Sequence, residues 1–237
     1  MAVYCVDSPQ KDKLQTLTQL LHHLQGVPAI VFVAHRESVE RVGAHLAAEG
    51  FYSVMYHGGM EQDIRERSLY LFRSGAANVL VSTDLAARGL DLPEVQAVVH
   101  YHLPLKAEEY THRNGRTARW TAEGAVYLLT GPTETLPDYA ANAVPLELSD
   151  RTGRVAVPKY ASLYIGRGKR DKLSKADILG FLCKKGGLTA ADIGRIDVAP
   201  HHAYVAVLRS KLRSVLSQIA GEKIKGMKTL IEETKKK

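Results

Sequence analysis

Short apolar runs alternate with amphipathic stretches over the first 130 residues of the chain. Strand-length runs lie at residues 2–6, 28–34, 51–55, 79–81, 95–101 and 124–130. The three- to four-residue spacing of helices is found at residues 9–24, 35–50 and 61–73 and in the polar segment around 112–119. Several runs are apolar at every position, as in parallel strands that are buried on both faces. The order β-α-β-α-β-α-β predicts an α/β domain built on a doubly wound parallel sheet.

The pattern changes near residue 149. Before it, we predict a short helix at 132–143 and a last strand at 144–148, and after it residues 149–159 are polar without periodicity. Further strands are predicted at 161–165, 193–198, 202–208 and after 228, with helices at 174–185 and 211–219. This β-α-β-β-α-β order predicts a small ferredoxin-like α+β domain, the arrangement of RRM domains. The predicted division is a domain at 1–148, a linker at 149–159, a domain at 160–232 and a basic tail at 233–237.

Charge is distributed unevenly between these parts. Residues 159–237 hold 18 Lys and Arg against 7 Asp and Glu, a net of +11. Residues 1–158 hold 14 against 18, a net of −4. A basic module beside a mildly acidic body indicates a polyanionic partner. The alternative, a solvated lysine-rich tail, accounts only for residues 235–237.

Composition also bears on membranes and metals. No apolar run reaches the length that spans a bilayer, and the first residues lack the pattern of a signal peptide. Cys5 and Cys183 are far apart and match no metal spacing, so we expect two thiols rather than a disulfide. We therefore expect a cytoplasmic protein with no membrane contact and no metal ligands of its own.

Two polar strings follow apolar runs in the first domain. STDLAARGLD occupies residues 82–91, and HRNGRTAR occupies residues 112–119. Open α/β sheets bind ligands where the carboxyl ends of strands carry polar turns. Arginines spaced three apart on one helical face can point at one shared anion. The alternative, solvated arginines on an ordinary parallel-sheet domain, predicts no particular order of such strings.

These strings resemble motifs V and VI of the DEAD-box RNA helicases. His112 favours that branch, since related helicase families usually carry Gln there. Residues 31–35 (VFVAH) resemble motif IV, and residues 57–65 (HGGMEQDIR) resemble the HGDxxQxxR string. Gly59 replaces the usual Asp, and His35 stands where Thr or Asn is commoner. A glycine pair at a strand end predicts open backbone N–H groups for a phosphate, or a tight turn with positive φ.

The second domain resembles the C-terminal RNA-binding domain of the DbpA/YxiN-type DEAD-box proteins. The matching pieces are KADILG at 175–180, DIGRID at 192–197, YVAV at 204–207 and KIKG at 223–226. The two resemblances together cover nearly the whole chain and imply a RecA-like domain followed by an RRM-like domain.

The resemblance implies a nucleotide role for four residues of the first domain. Arg116 and Arg119 would be catalytic arginine fingers that reach the γ-phosphate of ATP. Asp91 would hold the nucleotide ribose, and Arg88 would couple the nucleotide and RNA sites.

Other matching residues would contact RNA or organise the interface between domains. His112 and Arg113 would organise that interface rather than touch substrate. The RNA-binding residues would be Gly59, Arg65 and Thr83 in the first domain and Lys169, Arg170, Tyr204, Lys223 and Lys225 in the second.

The RRM-like domain has a reduced set of stacking residues. Its central strands offer Tyr164, His202 and Tyr204, but Val207 stands where an aromatic residue is common. A basic turn at 166–172 lies beside them, so we expect phosphate and shape contacts to outweigh stacking. For Tyr204 a packing role and an RNA role both stay open.

The residues that hold ATP and Mg²⁺ are missing from this sequence. The only Gly-Lys pair is Gly168-Lys169, and Leu163 occupies the position of the first P-loop glycine. No Asp-Glu-Ala-Asp string is present. We therefore expect ATP and Mg²⁺ to be held mainly by an N-terminal RecA-like domain of the parent protein, and the chain alone to be inactive as an ATPase.

The resemblance implies the C-terminal half of an ATP-dependent RNA helicase that separates short RNA duplexes. Its second domain would target structured large-subunit ribosomal RNA, which implies ribosome assembly. Partners would be RNA and the N-terminal RecA-like domain, with a monomer favoured. Two alternatives stay open: a non-catalytic RNA-binding adaptor, and a regulatory module that binds a separate ATPase in trans.

Overall fold

A computed structural model of the chain describes residues 1–84, 95–117, 124–149 and 153–234. The chain divides into two compact units. The first consists of Met1–Leu69 and Ala77–Val157, and the second of Tyr70–Ala76 and Pro158–Lys237.

Seven parallel strands form the sheet of the first unit. They are β1 (Ala2–Asp7), β2 (Ala29–Val33), β3 (Ser53–Tyr56), β4 (Val79–Thr83), β5 (Ala97–His100), β6 (Ala125–Thr130) and β7 (Val144–Pro145). Their order across the sheet is β3-β4-β2-β5-β6-β1-β7, and every pairing is parallel. Strands β2, β4 and β5 are buried at every position, which explains their continuous apolar runs. The predicted parallel α/β architecture is confirmed.

Helices connect these strands. They are α1 (Leu14–His23), α2 (Arg36–Ala48), α3 (Gln62–Arg73) and α4 (Ala107–Asn114). Leu17 and Leu20 of α1 and Val42 and Leu46 of α2 are fully buried in one core that includes the strand residue Val31. Their spacing of three or four residues places them on a single helical face. The amphipathic pattern thus fixes these two helices to the sheet.

The end of the first unit differs from the prediction. Residues 132–143 form only a short 3₁₀ turn at Asp138–Ala140, and the predicted strand at 144–148 is reduced to β7. Pro137 immediately precedes the turn and is extended, with φ −66° and ψ 156°. Because proline lacks an N–H and its ring clashes with a preceding carbonyl, it prevents a continuous helix here.

The second unit contains a four-stranded antiparallel sheet. Its strands are β8 (Tyr160–Ile165), β9 (Ile193–Val198), β10 (Ala203–Leu208) and β13 (Ile231–Glu233), in the order β13-β8-β10-β9. A separate hairpin pairs β11 (Lys223–Ile224) with β12 (Met227–Lys228). The helices are α5 (Lys175–Lys185) and α6 (Leu212–Gln218). The predicted split βαβ order is confirmed.

Both helices of this unit pack on one face of its sheet. Ile178 and Leu182 of α5 and Val215 of α6 are fully buried against strand residues such as Leu163 and Val205. Because side chains alternate along a strand, the neighbouring residues of β8 and β10 lie on the opposite face. The two faces are therefore an apolar, helix-covered face and a second face on which the ring of Tyr70, a residue of the same unit, stacks on that of Tyr204 at 4.9 Å.

Among the described residues, none of the helices is long and apolar enough to cross a membrane. Cys5 and Cys183 are both free thiols, the first buried and the second half-buried.

Candidate nucleotide and RNA site

An ion pair joins the two polar strings at the carboxyl edge of the parallel sheet. Arg113 on α4 donates from Nε to Oδ1 of Asp84 at 2.6 Å and from Nη2 to Oδ2 at 2.5 Å. Asp84 directly follows β4, so the pair ties the string after β4 to the string on α4. The Arg113 side chain is only 3% exposed. Bidentate geometry of this kind fixes orientation as well as charge.

Arg113 also binds the end of β5. Its Nη1 donates to the carbonyl of His102 at 2.7 Å and to Nδ1 of His100 at 3.2 Å. His100 is fully buried, and its Nε2 lies 2.8 Å from Oδ1 of Asn114. Because an arginine can only donate, Nδ1 of His100 accepts and Nε2 carries the proton. Burial, reinforced by the charge of Arg113, lowers the pKa of His100 to about 3.

The contacts of Arg113 are those that an organising residue would make, since they connect two strand ends and a helix. His112, the preceding residue, is exposed on the last turn of α4. The roles predicted for both residues stay predictions.

The second string is not one continuous helix. Helix α4 ends at Asn114, and Thr117 already bridges Val95 in parallel. Arg116 is half-buried in the turn between them, where its carbonyl accepts from the N–H of Val95 at 3.1 Å. The predicted helical segment around 112–119 therefore ends earlier, at Asn114, because Thr117 pairs with Val95 instead of continuing the helix.

Three predicted nucleotide-site residues, Arg88, Asp91 and Arg119, lie outside the described residues. Their predicted roles stay predictions. Thr83, predicted to contact RNA, is the last residue of β4 and is buried.

The turn after β3 differs from both predictions made for its glycines. Neither Gly58 nor Gly59 has a positive φ. The N–H of Gly59 donates to Nδ1 of His57 at 3.2 Å, so it is not an open donor. A Cβ on Gly59 would lie 3.2 Å from that same ring nitrogen. The histidine ring thus accepts the hydrogen bond of Gly59, and close packing on this ring explains the glycine.

Cations nevertheless lie at this edge. Arg65 on α3 donates to the hydroxyl of Tyr56 at 2.9 Å, and its guanidinium lies 5.1 Å from the centre of that ring. Arg36, the first residue of α2, is exposed, and its Nη2 lies 3.6 Å from the Cβ position of Gly58. Arg36 was not predicted as a site residue, although its position two residues after the apolar run at 28–34 could have indicated it.

A second histidine links two loops at the same edge. The N–H of Ala34, after β2, donates to Nδ1 of His102, after β5, at 3.0 Å. Burial, with a contribution from the charge of Lys13, lowers the pKa of His102 to about 4. A neutral His102 can accept this hydrogen bond at neutral pH, which fixes the backbone next to Arg36.

The second face of the antiparallel sheet carries a row of side chains across all four strands. Glu232 pairs with Tyr164, Tyr164 with Tyr204, and Tyr204 with Asp197. His202 extends the row: its ring lies 5.7 Å from that of Tyr164 and 5.0 Å from that of Tyr204. Tyr204 is the most buried of the three rings, because Tyr70 stacks on it and donates from its hydroxyl to the carbonyl of Arg195 at 2.7 Å. The half-buried rings of Tyr164 and His202 suit the stacking of bases better than the binding of phosphates.

The basic turn is fixed close to this row. The N–H groups of Lys169 and Arg170 donate to the carbonyls of Ala199 and Pro200 at 2.9 and 3.0 Å. A Cβ on Gly168 would lie 2.3 Å from the carbonyl oxygen of Ala199, so only glycine allows this approach. Both cationic side chains are exposed. The turn is therefore a pre-formed cationic edge next to the rings.

A groove of about 460 Å³ continues from this turn along β9. It is lined by Lys169, Leu173, Ser174, Lys175, Arg195, Asp197 and Val198. Arg195 and Asp197 form an ion pair at 2.8 Å. Three cations over an apolar floor can hold an anionic ligand.

Within the part of the chain that the structure describes, no group of three or more His, Cys, Asp or Glu side chains is arranged to hold a metal ion. The cations at the sheet edge suit the phosphates of a nucleotide, but these residues supply no carboxylate cluster for Mg²⁺. The cations among the described residues therefore fit a contribution to neutralising phosphate charge.

Comparison with known proteins identifies the family of both parts of the chain. The helicase conserved C-terminal domain family matches residues 12–121, and the DbpA RNA binding domain family matches residues 162–233. The chain belongs to the DbpA-type DEAD-box family. It is 34% identical over 227 residues to the ATP-dependent RNA helicase DbpA of Escherichia coli, covering 93% of this chain and 50% of that protein. The Bacillus subtilis protein of the same name is 28% identical, covering 96% and 53%. The chain thus spans about half the length of these relatives.

Solved structures of DEAD-box proteins share the fold of the first unit. The E. coli DEAD-box protein SrmB, bound to regulator of ribonuclease activity A, matches with a TM-score of 0.50 and 32% identity over 55% of this chain and 78% of that one. Saccharomyces cerevisiae Dbp5, bound to RNA and ADP BeF₃, matches with a TM-score of 0.51 and 28% identity over 60% of this chain and 37% of that one.

Proposed function

We propose that this DbpA-type chain is one half of an ATP-dependent RNA helicase that separates short RNA duplexes. This half would bind the target RNA and supply arginines to the ATP site. The observation that carries the proposal is the buried Asp84–Arg113 pair, which ties the two polar strings to one sheet edge. Arg116 follows Arg113 in the same string, and its carbonyl accepts from the N–H of Val95 at 3.1 Å. ATP, when bound, supplies the phosphoryl group and the free energy for the conformational cycle.

The chain's own contribution to ATP hydrolysis is charge and position. Arg116 and Arg119 would stabilise charge that develops on the γ-phosphate, whereas Asp91 and Arg88 would contact the ribose and connect it to RNA. Mg²⁺ and the phosphates would be held mainly by an N-terminal RecA-like domain. The structure of Dbp5 with RNA and ADP BeF₃ supports this division, since the matching domain of that protein belongs to a complex with both ligands.

RNA would be bound by both units. Gly59, Arg65 and Thr83 would contact the backbone at the carboxyl edge of the parallel sheet. In the second unit, Lys169 and Arg170 would bind phosphates beside the rings of Tyr164 and Tyr204. The acidic residues at both ends of the ring row favour bases on the sheet and phosphates on the basic turn.

Ribosomal RNA is the proposed target, with ribosome assembly in the cytoplasm as the proposed process. The match of residues 162–233 to the DbpA RNA binding domain supports a targeting module. A further relative, the ATP-dependent rRNA helicase RRP3 of Coccidioides immitis, is 34% identical over 183 residues, covering 70% of this chain and 39% of that protein.

The test is a fusion of the N-terminal domain of the E. coli relative to this chain. We expect RNA-stimulated ATP hydrolysis from the fusion and none from the chain alone. Replacing Arg116 or Arg119 with Ala should lower the turnover rate by on the order of 10³–10⁵, the contribution of arginine fingers in related systems. RNA-stimulated hydrolysis that is unchanged in both variants would refute the assignment. A fusion without ATPase that still binds RNA tightly would favour the adaptor alternative.

A further inference from the structure

A second basic surface lies on the helix-covered side of the second unit. A groove of about 330 Å³ runs between α5 and the β11–β12 hairpin. We name it the lysine groove, defined by Gly180, Lys184, Lys223 and Lys225. Its one aromatic residue, Phe181, is buried in the core, so the groove presents cations without a ring on which a base could stack.

The hairpin brings two lysines together. Lys223 and Lys228 are directly opposite each other in a hairpin with only two residues in each strand. Both side chains are exposed. Like charges directly across a strand pair are destabilising, so the fold itself gains nothing from this pairing. An anion bound along the hairpin would remove that repulsion.

Lys225 holds this hairpin on α5. It adopts a left-handed conformation with φ 52°, which is uncommon for a residue with a Cβ. Its Nζ donates to the carbonyl of Lys172 at 2.8 Å and to Oδ2 of Asp177 at 3.2 Å. The same Asp177 oxygen accepts from the N–H of Ser174 at 2.9 Å. Lys225 is therefore a positioning residue that fixes Lys223 beside the helix.

The helix is open where it faces the groove. Gly180 stands in the middle of α5, although glycine weakens a helix relative to alanine. A Cβ at this position would meet nothing within 4 Å, so packing within the chain does not require the glycine. A bulky ligand lying close to the helix backbone would require it. Lys184, one turn further along α5, is exposed at the end of this open stretch.

We propose that the lysine groove binds the sugar-phosphate backbone of a base-paired RNA segment, while the half-buried rings of Tyr164 and His202 on the opposite face take unpaired bases. The inference rests on the proposed function of this unit in RNA binding. Lysines are point charges that bind phosphates without reading bases, and double-stranded RNA is recognised chiefly through its backbone and shape. One module would thus recognise the junction between a duplex and a single strand.

The first test compares two charge-matched double variants of the full chain. Lys184→Gln with Lys223→Gln removes two groove cations. Lys211→Gln with Arg213→Gln removes two exposed cations near the start of α6, outside the groove. The probes are an RNA hairpin with a stem about one helical turn long and a single-stranded tail, and the tail alone.

We expect the groove variant to weaken hairpin binding about tenfold and to flatten the slope of log affinity against log salt by about two, one for each lost phosphate contact. Its binding to the tail alone and the hairpin binding of the control variant should stay within about twofold of the parent chain. Equal losses in both double variants, or no loss in the groove variant, would overturn the inference and leave RNA binding intact. A parent chain that binds neither RNA would instead overturn the proposed function.

A second variant separates binding from folding. Gly180→Gln places a side chain in the groove at a position with room for it. The substitution should raise the melting temperature, because it removes a mid-helix glycine, and yet weaken hairpin binding. A Gly180→Gln chain that is more stable and binds the hairpin as the parent does would overturn the inference. Gly180→Ala is the matched control, with the same gain in helix stability and little intrusion into the groove.

Discussion

The buried arginine at the sheet edge supplies the sharpest stability prediction. In the Arg113→Met variant, a side chain of similar length remains but its charge and all its donors are lost. Asp84 would lose two charge-assisted hydrogen bonds, and the carbonyl of His102 and Nδ1 of His100 would lose their donor. The substitution therefore removes the connection between β4, β5 and α4 without creating a large cavity.

The expected loss of unfolding free energy follows from the burial of the ion pair. Removing one partner of a buried ion pair costs about 3–5 kcal/mol, because the other charge is left uncompensated. Asp84 keeps a side-chain exposure of 23%, so water can partly hydrate it after the change. We therefore expect a loss near the lower limit, about 3 kcal/mol of a total unfolding free energy of about 5–15 kcal/mol.

The assay is urea unfolding followed by the fluorescence of Trp120, the only tryptophan, which belongs to the sequence of the first unit. Arg41→Met is the control, because Arg41 pairs with Asp12 at 2.9 Å and donates to the hydroxyl of Tyr101 at 3.2 Å, but the side chains of Arg41 and Asp12 are about half exposed. That variant should lose about 1 kcal/mol or less. A double-mutant cycle with Asp84→Asn should give a coupling of about 1–3 kcal/mol. A loss below about 1 kcal/mol in Arg113→Met, or an equal loss in the control, would refute the reasoning.

Three further predictions concern pH, the basic turn and the ring row. The folded chain keeps His100 neutral down to a pKa of about 3, whereas the unfolded chain takes up that proton near pH 6.5. The free energy of unfolding should therefore fall as the pH falls from 6.5, by up to about 1.4 kcal/mol per pH unit. Urea titrations at several pH values should show a weaker dependence on pH in His100→Asn. Gly168→Ala should destabilise the second unit by about 1–3 kcal/mol in circular dichroism melts, because the new Cβ would clash with backbone atoms. An unchanged melting temperature would contradict this. In RNA titrations, Lys169→Ala with Arg170→Ala should weaken binding more than Tyr204→Ala, and the reverse order would show that stacking dominates.

Much of the fold was predictable from the sequence because burial leaves a direct record in it. Strands buried on both faces, such as β2 and β4, appear as uninterrupted apolar runs, and the parallel sheet follows from their alternation with helices. The antiparallel unit was equally predictable, since its strands and helices follow the β-α-β-β-α-β order of the sequence pattern, and Ser174 with Asp177 forms a capping box where α5 begins. The pattern of apolar and polar residues within each segment was enough to predict these strands and helices.

The site was less predictable because it depends on contacts between distant residues. Nothing local shows that His57 occupies the turn of Gly59, or that Thr117 pairs with Val95 and ends the expected helix. Arg113 could be assigned an organising role only by resemblance, because its partners Asp84, His100 and His102 come together only in the folded sheet. Pro137 was the exception, since its interruption of residues 132–143 could have been read from the sequence alone.

The central claim, that this chain targets a helicase to structured ribosomal RNA, is tested most directly by a salt-dependent binding titration of the full chain. The two ligands are a large-subunit ribosomal RNA hairpin and an unrelated hairpin of equal length. The account predicts tighter binding to the ribosomal hairpin at every salt concentration, with a difference that persists when salt is raised. Equal affinities that fall steeply and together with salt would contradict it, because they would leave only a general phosphate-binding surface.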